Sequence, residues 1–431
     1  MRKYQRKLLT WIATALLFTT SCSQFPFSGS PTATLIPTTT PAPISTSTPA
    51  PTPTDSTPRG TVKIWHAWDE PEVPALVEVI RMFNQQYPDI LFDVLYVPVE
   101  ALPARYEEST RDGWGPALLL GPAEWGPRLF DQGLLADISG LVDQQLLDQI
   151  NPAALGSVQY QGAIIGLPHA MDGVVLYRNR LIIPQPVLTF EELVTSAQAA
   201  TSGEIIGAIL ERSFFFSGGH LNGLGDKLMG ENYEPAFTDP SGLEWIRLLR
   251  SFEQAGPTEY LSDNDIALFR QNRAGIIIDG TWNRSDLAEA IGIDRLAIDP
   301  WPTSENGALS GYVRSDNVYL SAQAAGDQRS ASWLFMQYLL SPPAQNILAM
   351  VEHIPVVAAV EVEDPLIAEA MVALAGGTTY PPVPAMEVYN AQMDLALRAI
   401  FFNEVDPAAA LQSAQDAIIN QLSELQGQNN P

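Results

Sequence analysis

Apolar residues recur along this chain with two different periods, and the places where the period changes mark its elements. Thr61-Val62-Lys63-Ile64-Trp65 alternates polar and apolar positions, the pattern of a strand with one face turned inward. Pro71 then opens a segment with Val73, Leu76, Val77, Ile80 and Phe83 at helical spacing, and Tyr87-Pro88 closes it. Leu91 to Val97 alternates again, and a helical stretch around Arg105 leads to Ala117-Leu118-Leu119-Leu120, which is apolar throughout. A run with no polar position suits the middle of a parallel sheet, where both faces are covered. These segments predict βαβαβ, an α/β layer architecture.

A second α/β region begins near Gly173-Val174-Val175-Leu176-Tyr177. In Thr189-Phe190-Glu191-Glu192, a threonine hydroxyl and a glutamate carboxylate are spaced to satisfy the free backbone donors of a helix start. The apolar spacing predicts helices from 191 to 200 and from 243 to 254, a buried strand at Ala274-Gly275-Ile276-Ile277-Ile278-Asp279, and a closing helix from 406 to 426. No segment of 20 to 50 residues repeats, which excludes a solenoid.

The beginning of the chain has another character. Arg2, Lys3, Arg6 and Lys7 precede an apolar run from Leu8 to Phe18, which reads as a secretion signal. The run is too short for a spanning helix, which needs roughly 20 apolar residues. Cys22, the single cysteine, follows at once and cannot form an internal disulfide. Its place after Ser21 resembles a bacterial lipobox, although Thr19 stands where leucine is usual; ordinary signal cleavage leaving a free thiol is the alternative. From Ser23 to about Thr57 the chain is nearly all Pro, Thr, Ser and Ala. Such a segment buries too little apolar surface to offset its ordering entropy, so residues 23–59 read as a disordered tether behind the 1–22 signal peptide.

The body from Gly60 to Pro431 is long enough for two domains. Of the 23 basic and 49 acidic residues, five and one precede Gly60, leaving 18 against 48 in the body, a net charge near −30. That balance argues against nucleic acid and against anionic lipid headgroups as partners.

Six segments in order resemble one known family. They are Gln132-Gly133-Leu134-Leu135-Ala136-Asp137-Ile138; Tyr160-Gln161-Gly162 through Gly166-Leu167-Pro168 to Leu176-Tyr177-Arg178-Asn179; and Thr189-Phe190-Glu191-Glu192-Leu193. Then come Phe269-Arg270-Gln271-Asn272-Arg273-Ala274 through Asp279-Gly280-Thr281-Trp282; Leu339-Leu340-Ser341-Pro342-Pro343-Ala344-Gln345; and Ile354-Pro355-Val356. Together they resemble extracellular solute-binding protein family 1, which contains the maltose/maltodextrin-binding proteins. Asn272-Arg273 and Ala163 depart from its pattern, which has Gly-Lys and lysine there.

The resemblance implies a two-lobe, type II periplasmic-binding-protein-like α/β fold, hinge-connected around a ligand cleft. One lobe would hold 60–170 plus 313–358, the other 171–312 plus 359–431. It also implies the solute-binding subunit of an ABC importer, a monomer that takes a small carbohydrate and delivers it to membrane permease subunits, without cofactor, metal or catalysis. The place would be outside the cytoplasm, on the outer face of the cell membrane, held by a lipid on Cys22.

A sugar presents apolar C–H faces and a rim of hydroxyls, so its site needs flat aromatic surfaces beside fixed polar side chains. Trp68 and Asp69 stand in the loop after the first strand, Glu124 and Trp125 after the third, Asp172 at the first crossing, and Asp279 and Trp282 around Gly280, whose freedom suits a tight turn. Tyr312 at a hinge crossing, and Tyr389 with Asn390 near the end, are further candidates, and one ring of Phe214-Phe215-Phe216 is expected to line the cleft. Trp65, inside the alternating strand, is expected in the core. Two other readings stand beside sugar transport. A secreted glycoside hydrolase would need two carboxylates about 5 to 10 Å apart, and the sequence has no nucleophile elbow, His-Glu-x-x-His or phosphate loop. A binder of polyamines or glycerol phosphodiesters, serving transport or sensing, is the other.

Overall fold

The alternating and apolar runs become strands of one ten-stranded sheet. A computed structural model describes residues 57–230, 232–237 and 240–428, with no side chain described beyond 424; the signal segment, Cys22 and residues 23–56 of the expected tether lie outside them. The strands are β1 (Gly60–His66), β2 (Ile90–Tyr96), β3 (Leu118–Pro122), β6 (Leu167–Asn179), β7 (Ile206–Glu211), β8 (Thr258–Glu259), β9 (Ala274–Gly280), β10 (Leu296–Asp299), β13 (Tyr312–Leu320) and β14 (Thr378–Thr379). Two small hairpins stand apart, β4 (Gln159–Tyr160) with β5 (Ala163–Ile164), and β11 (Thr303–Ser304) with β12 (Gly307–Ala308).

The sheet order is β2-β1-β3-β13-β6-β9-β7-β8, with β10 also on β6 and β14 also on β13. The β2-β1-β3 side is called the first lobe here, and the β9-β7-β8 side the second. β1 runs parallel to β2 and β3, and β7 parallel to β8 and β9. The middle is antiparallel: β3 to β13, β13 to β6, and β6 to β9. The apolar run Leu118-Leu119-Leu120 is wholly buried, as expected, yet it has a parallel neighbour on one side only. An unbroken apolar run reports burial on both faces and is silent on the direction of the next strand.

The largest departure is β6. The sequence marks a strand from Gly173, but pairing starts at Leu167 and all thirteen residues are buried. Pro168, which has no N–H to donate, sits beside the register shift between Asp316 and Asn317 of β13. Leu167 to Gly173 pairs with β13, and Val174 to Arg178 with β9, so one strand serves both lobes. The crossing is tight at two glycines. A Cβ on Gly173 would stand 2.5 Å from the Tyr312 carbonyl oxygen, and one on Gly311 2.2 Å from that of Val174.

Helices cover the sheet where the 3.6 period is present. Val73–Gln86 buries Ala75, Leu76, Val79 and Phe83, while Val77, one position off that stripe, stays exposed. Phe190–Ala200 opens with the expected capping box, and Ser241–Ser251 plants Trp245 in the second-lobe core, its Nε1 donating to the Ser217 carbonyl at 3.0 Å. Pro407–Gln428 is the closing helix. Arg178 of β6 and Asp299 of β10 form a buried, two-pronged ion pair with distances of 2.5 and 2.9 Å. Asn272, one of the departures from the family pattern, has φ +56°, a left-handed conformation that asparagine adopts more readily than most residues, so it serves where glycine is usual. No helix among the described residues is long and apolar enough to cross a membrane.

Candidate functional site

Four polar residues in a row, Arg314-Ser315-Asp316-Asn317, interrupt the apolar ends of β13. Ser315 and Asn317 point into the protein, where Ser315 Oγ donates to Asn317 Oδ1 at 2.7 Å and Asn317 Nδ2 donates to the Tyr319 hydroxyl at 3.0 Å. Alternation then puts Arg314 and Asp316 together on the other face. Arg314 Nε donates to Asp172 Oδ1 at 3.2 Å and Nη2 to Oδ2 at 3.4 Å, while Nη1 stands 3.8 Å from Glu124 Oε1. Its guanidinium carbon lies 5.8 Å from the ring centroids of both Phe215 and Trp282, within cation–π range. One side chain thus joins β13, β6, the turn after β3 and the aromatic groups of the second lobe. Burial works against its charge, but the Asp172 and Glu124 carboxylates more than offset this and hold Arg314 above the ordinary arginine range.

Trp282 is held by everything around it. β9 ends at Gly280, and a single 3-10 turn follows over Thr281–Asn283. Gly280 N donates to Asp279 Oδ1 at 2.5 Å, Asn283 Nδ2 to Asp279 Oδ2 at 3.0 Å, the Tyr177 hydroxyl to the Gly280 carbonyl at 2.9 Å, and Gly173 N to Thr281 Oγ1 at 3.1 Å. The indole folds back over Gly280, where a Cβ would stand 2.0 Å from Cζ2. Gly280 itself has φ −89°, which any residue can adopt. The expected tight turn is therefore not the reason for this glycine; room for the ring is. The first lobe repeats the device after β3, where Trp125 lies over Gly121 and a Cβ there would stand 2.2 Å from Cζ3.

The rings beside Trp282 form a half-buried wall. Its centroid is 6.0 Å from Phe215 and 6.4 Å from Phe216, and Phe215 is 5.7 Å from Tyr380. Phe214 turns the other way, into the core against Tyr312 and Trp245, so two of the three phenylalanines take part where one was expected.

The structure brings Glu124, Asp172 and Trp282 together, sets Asp279, Tyr312 and Asn390 behind them, and places Trp68, Asp69 and Tyr389 away from them. Trp68 is buried in the first lobe against His169 and His353, with centroids 5.5 and 4.9 Å away. Asp69 is exposed in the turn before the first helix, its N–H donating to Glu72. Asp279 is 4% exposed and spends both oxygens on the turn that seats Trp282; burial pushes its carboxyl up to about 7. Tyr312 is buried behind Tyr380 with centroids 5.3 Å apart. Tyr389 is buried and donates to the Tyr233 carbonyl at 2.8 Å, and Asn390 Nδ2 donates to the Tyr380 hydroxyl at 2.6 Å, steadying one ring of the wall. Trp125 is half-buried against the first-lobe core. Trp65 is a core residue, T-shaped on Trp114.

Sequence reasoning passed over Arg314, Asp316 and Tyr380. The available signal was the run of four polar residues in a strand with apolar ends, which marks a strand face that is not covered by core. Among the described residues no group of His, Cys, Asp or Glu is arranged to hold a metal ion.

Comparison with known proteins adds the following. Residues 78–372 match the bacterial extracellular solute-binding protein family. The maltotriose-binding protein of Pyrococcus abyssi is 24% identical over 294 residues, which are 66% of this chain and 63% of that protein. This chain thus spans less than two thirds of that relative's length. A maltooligosaccharide ABC transporter solute-binding lipoprotein of Streptococcus pneumoniae is 21% identical over 249 residues, 54% of this chain and 57% of its own. Among solved structures, an extracellular solute-binding protein from Staphylococcus aureus in complex with maltose superposes with a TM-score of 0.75 at 17% identity, covering 85% of this chain and 98% of that one.

Proposed function

We infer the function from one premise: this chain belongs to the bacterial extracellular solute-binding protein family. It is the solute-binding subunit of an ABC importer that captures a small carbohydrate in the cleft between its lobes and hands it to permease subunits in the membrane. The observation that carries this reading is the group on the hinge strands, in which Arg314, Asp172 and Glu124 stand beside the half-buried wall of Trp282, Phe215, Phe216 and Tyr380. Flat rings cover the apolar face of a sugar while fixed carboxylates and a guanidinium take its hydroxyls. The names of the Pyrococcus and Streptococcus relatives point to the same class of solute.

The lobes run over 60–170 plus 313–358 and 171–312 plus 359–431, with the dual pairing of β6 in support. The protein is a monomer held at the outer face of the membrane by a lipid on Cys22. A thermal-shift screen over mono- and oligosaccharides tests the reading. A sugar at 100 times its dissociation constant adds about 2.7 kcal/mol to stability, so its midpoint shift is large. A panel in which no sugar moves the midpoint sinks the proposal. The hydrolase reading is weaker because Asp172 and Glu124 are both engaged by one guanidinium, that of Arg314. Release of reducing ends from any panel sugar would revive it.

A further inference from the structure

The floor of the site carries more negative charge than its own cations neutralise. Asp316 lies two residues from Arg314 on the same face of β13, half-buried, and among the described residues its carboxylate accepts no hydrogen bond and joins no ion pair. The charged groups that face it are Asp172, Glu124, Glu72 and His353, with Arg314 beside it on the strand. Both possible counter-charges are already engaged. Arg314 holds Asp172 and Glu124, and His353 Nε2 is 2.7 Å from Glu72 Oε1. On the same face, the Arg314 guanidinium lies against the aromatic rings of Phe215 and Trp282, which attract cations. Burial, and after it the Asp172 charge, pushes the Asp316 carboxyl up to about 7, as such a surplus requires.

We propose that Asp316 is a specificity-determining residue that selects a ligand bearing a protonated amine, so that the solute is an amino sugar; this rests on the sugar-binding reading above. A neutral sugar closing over an unpaired carboxylate removes its water and returns nothing of opposite sign. Such a ligand must carry a proton in with it, and its affinity falls by up to about tenfold per pH unit once Asp316 is ionised. An ammonium group supplies the missing charge itself.

The test is calorimetric titration at pH 7.5, where Asp316 is mostly ionised, of the full mature chain and of its Asp316→Asn variant with three probes: a glucosamine trimer, its fully N-acetylated counterpart, and maltotriose. The wild type is expected to bind the glucosamine trimer at least about tenfold more tightly than either neutral probe, with the preference collapsing to within about twofold in the variant. A preference that survives in Asp316→Asn comes from general attraction to the acidic exterior and overturns the proposal. So does equal or tighter binding of a neutral probe by the wild type, which leaves the sugar reading standing. Binding of none of the three by folded wild type counts against the sugar reading itself. Should Asp316→Asn fold poorly, titration of the wild type in two buffers of different ionisation enthalpy decides alone. Larger net proton uptake with a neutral probe than with the amine supports the proposal, and equal uptake overturns it.

Discussion

Trp282 folds back over Gly280 and stays half-buried beside Phe215, Phe216 and Arg314, and in the proposed site its indole would stack on the ligand. Trp282→Ala should weaken sugar binding by roughly 2 kcal/mol or more, in the range of binding hot spots, with a smaller change in the denaturant midpoint. Fully buried Trp245 supplies the contrast, since its truncation should cost about 3 to 5 kcal/mol of folding free energy. A Trp282→Ala protein that melts as early as Trp245→Ala, or keeps full affinity, would remove the indole from the site. Behind the wall lies a second kind of residue. Burial, and then the Asp279 charge, pushes Asp265 up to about 8, and Asp279 itself stands near 7. Carboxyls raised above their unfolded values near 4 contribute stability that is complete below that value and is lost as pH rises through the folded one. The buried histidines His169 and His220, held down to about 3 and 4 by burial, work the other way, but only up to the unfolded histidine value near 6.5. Between pH 7 and 8.5 the carboxyls therefore prevail, and the melting temperature should fall, with Asp265 contributing up to about 1.4 kcal/mol per pH unit. Asp265→Asn should flatten that slope, and an unchanged slope would mean Asp265 does not titrate there. At this scale Glu124 and Trp282 stood out in the sequence because each follows a strand end, and Asp172 because it stands at the first crossing. Arg314 was not, because its meaning lies in a pairing with Asp172, 142 residues away, which no local pattern carries.

Elements were legible wherever one period ran without interruption. The capping box at Thr189 is complete: its hydroxyl accepts from Glu192 N at 3.1 Å, and Glu192 Oε2 accepts from Thr189 N at 3.3 Å and from Leu188 N at 2.8 Å. Thr189→Ala should lower stability by about 1 kcal/mol in urea titration with the slope unchanged, since the loss is confined to one helix end. A variant as stable as wild type would show that water replaces the cap without cost. β9 is legible nearly to its last residue, because Ala274 to Ile278 is apolar up to the turn. β6 was read at less than half its length. Pro168, His169 and Asp172 break the apolar pattern in its first half, yet burial there comes from β13, which is far along the chain. Val77 shows the converse error, an apolar residue counted into a helical stripe that in fact faces water.

At the scale of the whole molecule, composition set the outer limits and the order of the six segments pointed to the solute-binding family that residues 78–372 match. Attachment belongs here too. If Cys22 carries the lipid, Cys22→Ser should move most of the protein from the membrane fraction into the medium, and a variant that stays membrane-bound to the wild-type extent would refute the anchor. The dual membership of β6 reaches furthest. Its thirteen residues hydrogen-bond to β13 at one end and to β9 at the other, so neither lobe can lose its share of the strand without unpairing the other's edge. If the two proposed lobes move as a hinge, this shared strand should still join them as one cooperative melting unit. Calorimetry should then give a single transition whose van't Hoff and calorimetric enthalpies agree, where two independently folding lobes would give a ratio near one half. Flexibility between the proposed lobes in the native state and indivisibility on unfolding would have one cause, a strand that changes partner at Gly173 but is never cut.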